Sequence, residues 1–339
     1  MTGVGRLIHT GQVIVDLVMR VPKLPERGGE TIATAASTAV GGGLNVLAAA
    51  VRDGAAACYL GAIGDGEHGK RVLRELTREG VTVLQKPLTG RDTGYCVALV
   101  EPDGERSFLT VLGAESEPTR LPRIAKTGDV IYVSGYSLVS PCLAEELLGF
   151  LSDSAAAVPG ISVVFDPAPV ISEVDPALLQ RVLAHATVLT LNEREAGLLA
   201  GAPAAGQAST GAETGTETGT ETGTSATAAS SPETSTERAA SLASQLASQH
   251  GCDVVLRRGK QGCVVASGQH HTVIPAPRVQ AVDTNGTGDA HTGVLCGQLA
   301  RGSTLTAAAE RANIAAALAV TRSGPATAPT ASEINAAKW

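Results

Sequence analysis

Residues 283–289, Asp-Thr-Asn-Gly-Thr-Gly-Asp, set a carboxylate at each end of a glycine-rich stretch. The apolar run at 293–300 that follows has the composition of a helix, which puts Gly286, Thr287 and Gly288 at a helix N-terminus. Unpaired amides and the positive end of the helix dipole attract anions there. Glycine also lets the backbone approach a phosphate with no Cβ in the way. Asp289, in the first turn, has two uses open to it. It is a capping carboxylate, or, beside an anion hole, the general base for a hydroxyl attacking a phosphoryl group. A second loop, Gly41-Gly42-Gly43-Leu44-Asn45, opens an alanine-rich helix. Its glycines let a polar ligand lie against backbone and Asn45 is suited to sugar hydroxyls, although a plain strand-to-helix turn uses the same residue types.

Both loops need a scaffold that brings them together. Near-continuous apolar runs at 57–63, 129–135, 161–167, 187–192 and 253–258 have strand length and the composition of strands buried on both faces. Helical segments lie between them, at 70–80, 143–153 and 236–251; Gly80 and Gly251 suit helix ends, and Thr234 with Glu237 has capping-box spacing. Strand then helix, repeated, predicts an α/β fold: a doubly wound, mostly parallel sheet flanked by helices. Ligands of such sheets bind beyond the C-terminal strand ends. Those ends carry Ser134-Gly135-Tyr136, Asp166-Pro167, Asn192 with Glu195, the 257–260 stretch and finally the 283–289 loop. Residues 64–69 match the dinucleotide pattern GxGxxG, but no acidic residue follows a next strand at the required distance. That stretch is expected to be a turn, and a dehydrogenase has no other support.

Residues 13–40 and 93–112 break the rhythm and look extended, with a hairpin turn at Asp103-Gly104. They are expected to form a small antiparallel β-sheet lid on a core made of residues 1–12, 41–92 and 113–339. Within that core, 204–235 is a low-complexity tract, with Glu-Thr-Gly-Thr three times in tandem, expected to be a disordered insertion. The 339-residue chain is 43% hydrophobic but only 2% aromatic, so its core must be built from aliphatic side chains and alanine. A net charge of −7 argues against a nucleic-acid surface. No apolar run approaches the roughly 20 residues of a membrane span, and no basic segment precedes residues 13–21 as a signal peptide would require. Six scattered cysteines without a CxxC pair point to free thiols and a cytoplasmic protein.

Taken together, these motifs resemble the ribokinase-like (PfkB) carbohydrate kinases over nearly the whole chain outside 204–235. Gly41 to Asn45, with Gly54 and Gly64 downstream, resembles the family's N-terminal signature, Asp283 to Asp289 its C-terminal one, and Asn192-Glu193-Arg194-Glu195 its NxxE motif. Leu47, Thr287 and His291 depart from the usual residues, and Ser134-Gly135-Tyr136 lies where ribokinases carry a sugar-binding glutamate. These departures point to a subgroup distinct from authentic ribokinase.

The resemblance implies transfer of the γ-phosphate of ATP to a primary hydroxyl of a small carbohydrate. Asp289 would be the base and the amides of Gly286, Thr287 and Gly288 the anion hole. Asp16, from the end of the first strand, would bind the sugar with Gly42, Gly43 and Asn45. Asn192, Arg257, Gly259, Gly262 and Asn313 would bind ATP; Glu195 would hold Mg2+ through water, and Asp283 with the 322–325 loop would hold K+. The expected partners are a sugar and ATP, with no nucleic acid or membrane, and a second copy of the chain paired through the lid. A nucleoside kinase of the same fold is the alternative, and a non-catalytic sugar-binding regulator the more remote one.

Overall fold

The computed structural model describes residues 4–201, 232–324 and 326–337, so most of the low-complexity tract lies outside the described residues. In chain order the strands are β1 (Arg6–His9), β2 (Val13–Arg20), β3 (Ala35–Gly42), β4 (Ala56–Tyr59), β5 (Thr82–Val83), β6 (Tyr95–Val100) and β7 (Arg106–Val111). They continue with β8 (Val130–Ser134), β9 (Ser162–Asp166), β10 (Val188–Asn192), β11 (Asp253–Arg257), β12 (Cys263–Ser267) and β13 (His270–Ile274). The larger sheet has the order β13-β12-β11-β10-β9-β8-β1-β4-β5. It is parallel from β11 to β5. Beyond β11 the two edge strands run antiparallel, an addition the apolar runs do not announce. The link from β11 to β12 is too short for a crossover helix, so the chain has to turn back on itself.

The helices are α1 (Gly43–Arg52), α2 (Glu67–Arg78), α3 (Pro141–Ala157), α4 (Pro176–Leu183), α5 (Glu193–Ala200), α6 (Pro232–His250), α7 (Thr287–Ala300), α8 (Leu305–Ala319) and α9 (Ala331–Ala336). Because α6 starts at Pro232, Thr234 lies within the helix and not at its cap. One face of the sheet is leucine-rich, with Leu147 and Leu151 of α3, Val182 of α4 and Leu246 of α6 packed on Ile131, Phe165 and Leu189. The other face is covered by α1, α7 and α8, largely through alanines such as Ala49, Ala50, Ala308 and Ala312. No helix among the described residues is long and apolar enough to cross a membrane.

Small residues decide how close α1 and α7 come. A Cβ on Gly293 would lie 2.2 Å from the Val46 carbonyl oxygen and 2.7 Å from the Ala49 Cβ. With nothing between the two backbones, the glycine-rich N-termini of α1 and α7 sit side by side. Alanine is the better helix former by about 1 kcal/mol, but overpacking costs roughly 1–3 kcal/mol. Gly293→Ala is therefore expected to lower stability in urea denaturation. An unchanged or higher midpoint would show that this contact does not set the helix spacing.

The smaller sheet, ordered β3-β2-β6-β7, contains two antiparallel pairs, β2–β3 and β6–β7, joined in the middle by a parallel β2–β6 ladder. The turn before β7 has Gly104 at φ 88°, and the Glu105 amide donates to the Asp103 carboxylate at 3.0 Å.

Candidate active site

The strand order reverses between β1 and β8, since the chain runs outward one way through β4 and β5 and the other way through β9, β10 and β11. A crevice opens at such a reversal. The strand ends that border it are level, with Ser134 opposite Asp166 and Asn192 opposite Arg257.

Asp289 lies in the first turn of α7, whose N-cap Gly286 has φ 68°. Its Oδ2 accepts a hydrogen bond from Asn45 Nδ2 at 2.9 Å, the direct result of the close approach of α1 and α7. Burial raises the Asp289 pKa above the ordinary carboxylate range. The Asn45 bond works against that rise, Asp166 adds to it and Arg257 opposes it. The amides of Gly286, Gly288 and Asp289 have no acceptor among the described residues, whereas the Thr287 amide donates to Thr284 O at 3.3 Å. The free donors are thus 286, 288 and 289, the expected set with Asp289 in place of Thr287.

Asp16 is not at the end of the first strand. It lies in the middle of β2, a lid strand, paired with Ala39 on one side and Cys96 on the other. The lid bounds of 13–40 already put residue 16 in the small sheet, at odds with its assignment to the end of the first strand. A Cβ on Gly41 would fall 1.9 Å from Asp16 Oδ2, so that glycine makes room for the carboxylate. Burial, and then repulsion from Asp289, push the Asp16 pKa up to about 6. Asp16 on the small sheet and Asp289 on α7 are therefore near enough to repel each other.

The remaining glycines of the α1 loop divide their roles. Gly43 makes room for protein and not for a ligand, because a Cβ there would meet the His9 ring at 2.3 Å. Gly42, at φ 59° and exposed, caps α1. Asn45 is buried and already engaged on both sides of its amide, since its Oδ1 accepts from the Ala326 amide at 3.0 Å. It positions Asp289 in this structure.

Arg257 is turned inward. Its Nη1 lies 3.1 Å from Asp166 Oδ2 and its Nη2 3.6 Å from Glu195 Oε2. The same Nη1 donates to Thr292 Oγ1 at 2.7 Å and to the Gly288 carbonyl at 3.4 Å, bracing the first turn of α7 from below. Asp166 is the residue that the assignment of roles left out, although its strand end was among the converging ones. Asn192 and Glu195 form a full capping box on α5: the Glu195 amide donates to Asn192 Oδ1, and Glu195 Oε2 accepts from the Asn192 amide, both at 2.9 Å. Asp166 and Glu195 have the hard oxygen chemistry that a water-bridged Mg2+ takes, with Arg257 balancing their charge here.

Other expected residues stand apart. Asn313 is buried in α8 and donates to the Ile274 carbonyl at 3.1 Å, tying that helix to β13 where an adenine contact was expected. Gly262, at φ 92°, has the Ile274 carbonyl 2.0 Å from where a Cβ would be, and Gly259 has φ 53°; both shape the β11–β12 turn. Both Asp283 oxygens are engaged within the protein. Its Oδ1 takes Arg106 Nη2 at 2.5 Å and the Asn285 amide at 2.9 Å, and its Oδ2 takes the Gly324 amide at 3.1 Å. The GxGxxG stretch is a turn leading into α2, whose His68 and Gly69 amides are taken by the Asp92 carboxylate at 3.2 and 2.9 Å.

Residues 5–331 match the model of the pfkB family carbohydrate kinases. The chain is 31% identical over 328 residues to an uncharacterized sugar kinase, YegV, of Escherichia coli K12, covering 96% of this chain and 91% of that one. Among solved structures, ribokinase from Cryptococcus neoformans in complex with ADP superposes with a TM-score of 0.79 at 23% identity, over 98% of this chain and 99% of that one. An Escherichia coli chain described as a ribokinase II, in complex with ATP and Mg2+, gives a TM-score of 0.70 at 18% identity, over 98% of each. At these identities the structural likenesses establish the fold.

Proposed function

The chain belongs to the pfkB family of carbohydrate kinases, and from that premise we propose that it moves the γ-phosphate of ATP to a primary hydroxyl of a small sugar through Asp289. The observation that carries this assignment is the half-buried Asp289 carboxylate, oriented by Asn45 at 2.9 Å and adjoining unpaired amides at a helix N-terminus. Asp289 takes the proton of the hydroxyl as its oxygen attacks phosphorus. The amides of Gly286, Gly288 and Asp289 receive the charge that develops on the transferred group, the electrostatic part of phosphoryl transfer. Asp16 holds the sugar from the lid side. Arg257, drawn toward Gly288 and fixed by Asp166, provides a positive charge beneath the phosphate loop. Bound Mg2+ would neutralise phosphate charge, its waters reached from Asp166 and Glu195.

The decisive experiment is ADP release with Mg2+ and ATP on a panel of ribose, fructose, tagatose, 2-keto-3-deoxygluconate, adenosine and pseudouridine. A rate above background ATP hydrolysis on one of the sugars is expected. Turnover of a nucleoside alone would move the substrate class, and no turnover at all would defeat the proposal.

The lid offers the surface for a second copy. Phe108 and Leu109 of its edge strand β7 are 62% and 59% exposed, beside unpaired strand N–H and C=O groups. Light scattering is expected to give twice the 34.2 kDa chain mass; a monomeric mass would rule the pairing out. The six cysteines are unpaired, as a reducing compartment would keep them.

A further inference from the structure

Asp283 opens the phosphate loop, and three separate parts of the chain converge on it. Arg106, the first residue of lid strand β7, reaches across to place Nη2 2.5 Å from Oδ1. The Gly324 amide donates to Oδ2 at 3.1 Å. Two residues beyond Gly324, Ala326 holds a left-handed backbone at φ 49°, rarely adopted by a residue with a Cβ. Its amide donates to Asn45 Oδ1, and Asn45 in turn donates to Asp289. Contacts therefore link the lid to Gly324 through Arg106 and Asp283, and Ala326, two positions along the chain, to the base through Asn45.

An alkali cation beside this loop would need oxygen donors. The Asp283 oxygens instead face two amides and a guanidinium, and the guanidinium charge would repel a second cation at that distance. K+ does not fit the donor set that Asp283 presents among the described residues.

Resting on the kinase assignment above, we propose that Arg106 is a positioning residue that supplies, from the lid, the fixed positive charge of the phosphate loop. The loop then holds its phosphate-binding shape without any dissolved monovalent cation, and couples to the lid through the same contact.

The test uses the full chain and Mg2+ with AMP-PNP as probe, titrated calorimetrically in KCl and in choline chloride at equal ionic strength. Wild-type affinity is expected to agree within about twofold between the two salts, while R106A in choline chloride loses about tenfold. Adding KCl or guanidinium chloride to R106A restores most of that loss, R106K keeps near wild-type affinity, and thermal melting confirms that each variant is folded. The inference is overturned if wild-type binding is tighter by about tenfold or more in KCl, or if R106A matches wild type in choline chloride. It is equally overturned if R106A loses affinity that neither cation restores, which would mark a merely structural contact. Failure of the wild type to bind the probe in either salt would instead strike the kinase assignment itself, and this inference with it.

Discussion

Asp289→Asn is expected to reduce kcat by about 10³-fold or more, within the upper part of the range for a general base, while ATP affinity stays close to wild type and the melting temperature does not fall. The substitution is nearly isosteric, and its amide oxygen can still accept the Asn45 bond that holds the side chain at 2.9 Å in the wild type. Only the capacity to take a proton is lost. The pH profile supplies an independent check. Burial, first of all, holds the Asp289 carboxyl above the ordinary carboxylate range, so the deprotonated base is present above that raised pKa and lost as pH falls through it. The acid limb of kcat should thus sit higher than a surface aspartate would place it. Retention of more than a tenth of the rate by the variant would remove Asp289 from the reaction.

The second large effect belongs to Asp16→Asn. A charged acceptor to a hydroxyl contributes roughly 1.5–3 kcal/mol, so loss of contacts to two sugar hydroxyls is expected to lower kcat/KM by about a hundredfold or more, mostly through KM. The stability change should have the opposite sign. In the folded chain the Asp16 pKa is raised from 3.8 to about 6, so the folded state binds the proton more readily than the unfolded one. The charged form is a penalty fully present above pH 6, and it is relieved as pH falls from 6 toward 4. Asp16→Asn should therefore melt higher than wild type at pH 7.5, by at most about 3 kcal/mol of stability, with the gap closing near pH 4. A variant that melts lower at pH 7.5, or binds sugar as well as wild type, would remove Asp16 from the crevice.

How much of this could be read from the chain depends on the range of the interaction concerned. The five apolar runs that became β4, β8, β9, β10 and β11 were legible because a strand buried on both faces has a local composition. The placing of the 283–289 loop at a helix N-terminus was legible for a similar reason, because glycines and a carboxylate ahead of an apolar run are adjacent in sequence. Asp16 was assigned to the end of the first strand although the lid bounds of 13–40 already included it, and the structure places it inside β2. Gly43 looked like space for a ligand, and only the fold shows that His9 fills it. The Arg106–Asp283 contact spans 177 positions, from the start of a lid strand to the 283–289 loop, and no local pattern announces it. Asn192 and Glu195 were matched for their chemistry, and the structure shows the same pair capping a helix.

Asp16 rides on β2 of the small sheet, while Asp289 belongs to α7, which packs on the main one. Repulsion between the two carboxylates adds to the rise in the Asp16 pKa, so it acts between two separate platforms. If a sugar hydroxyl donated a hydrogen bond to each carboxylate, as the proposed roles require, the ligand would join the two sheets, and its binding would tighten the lid.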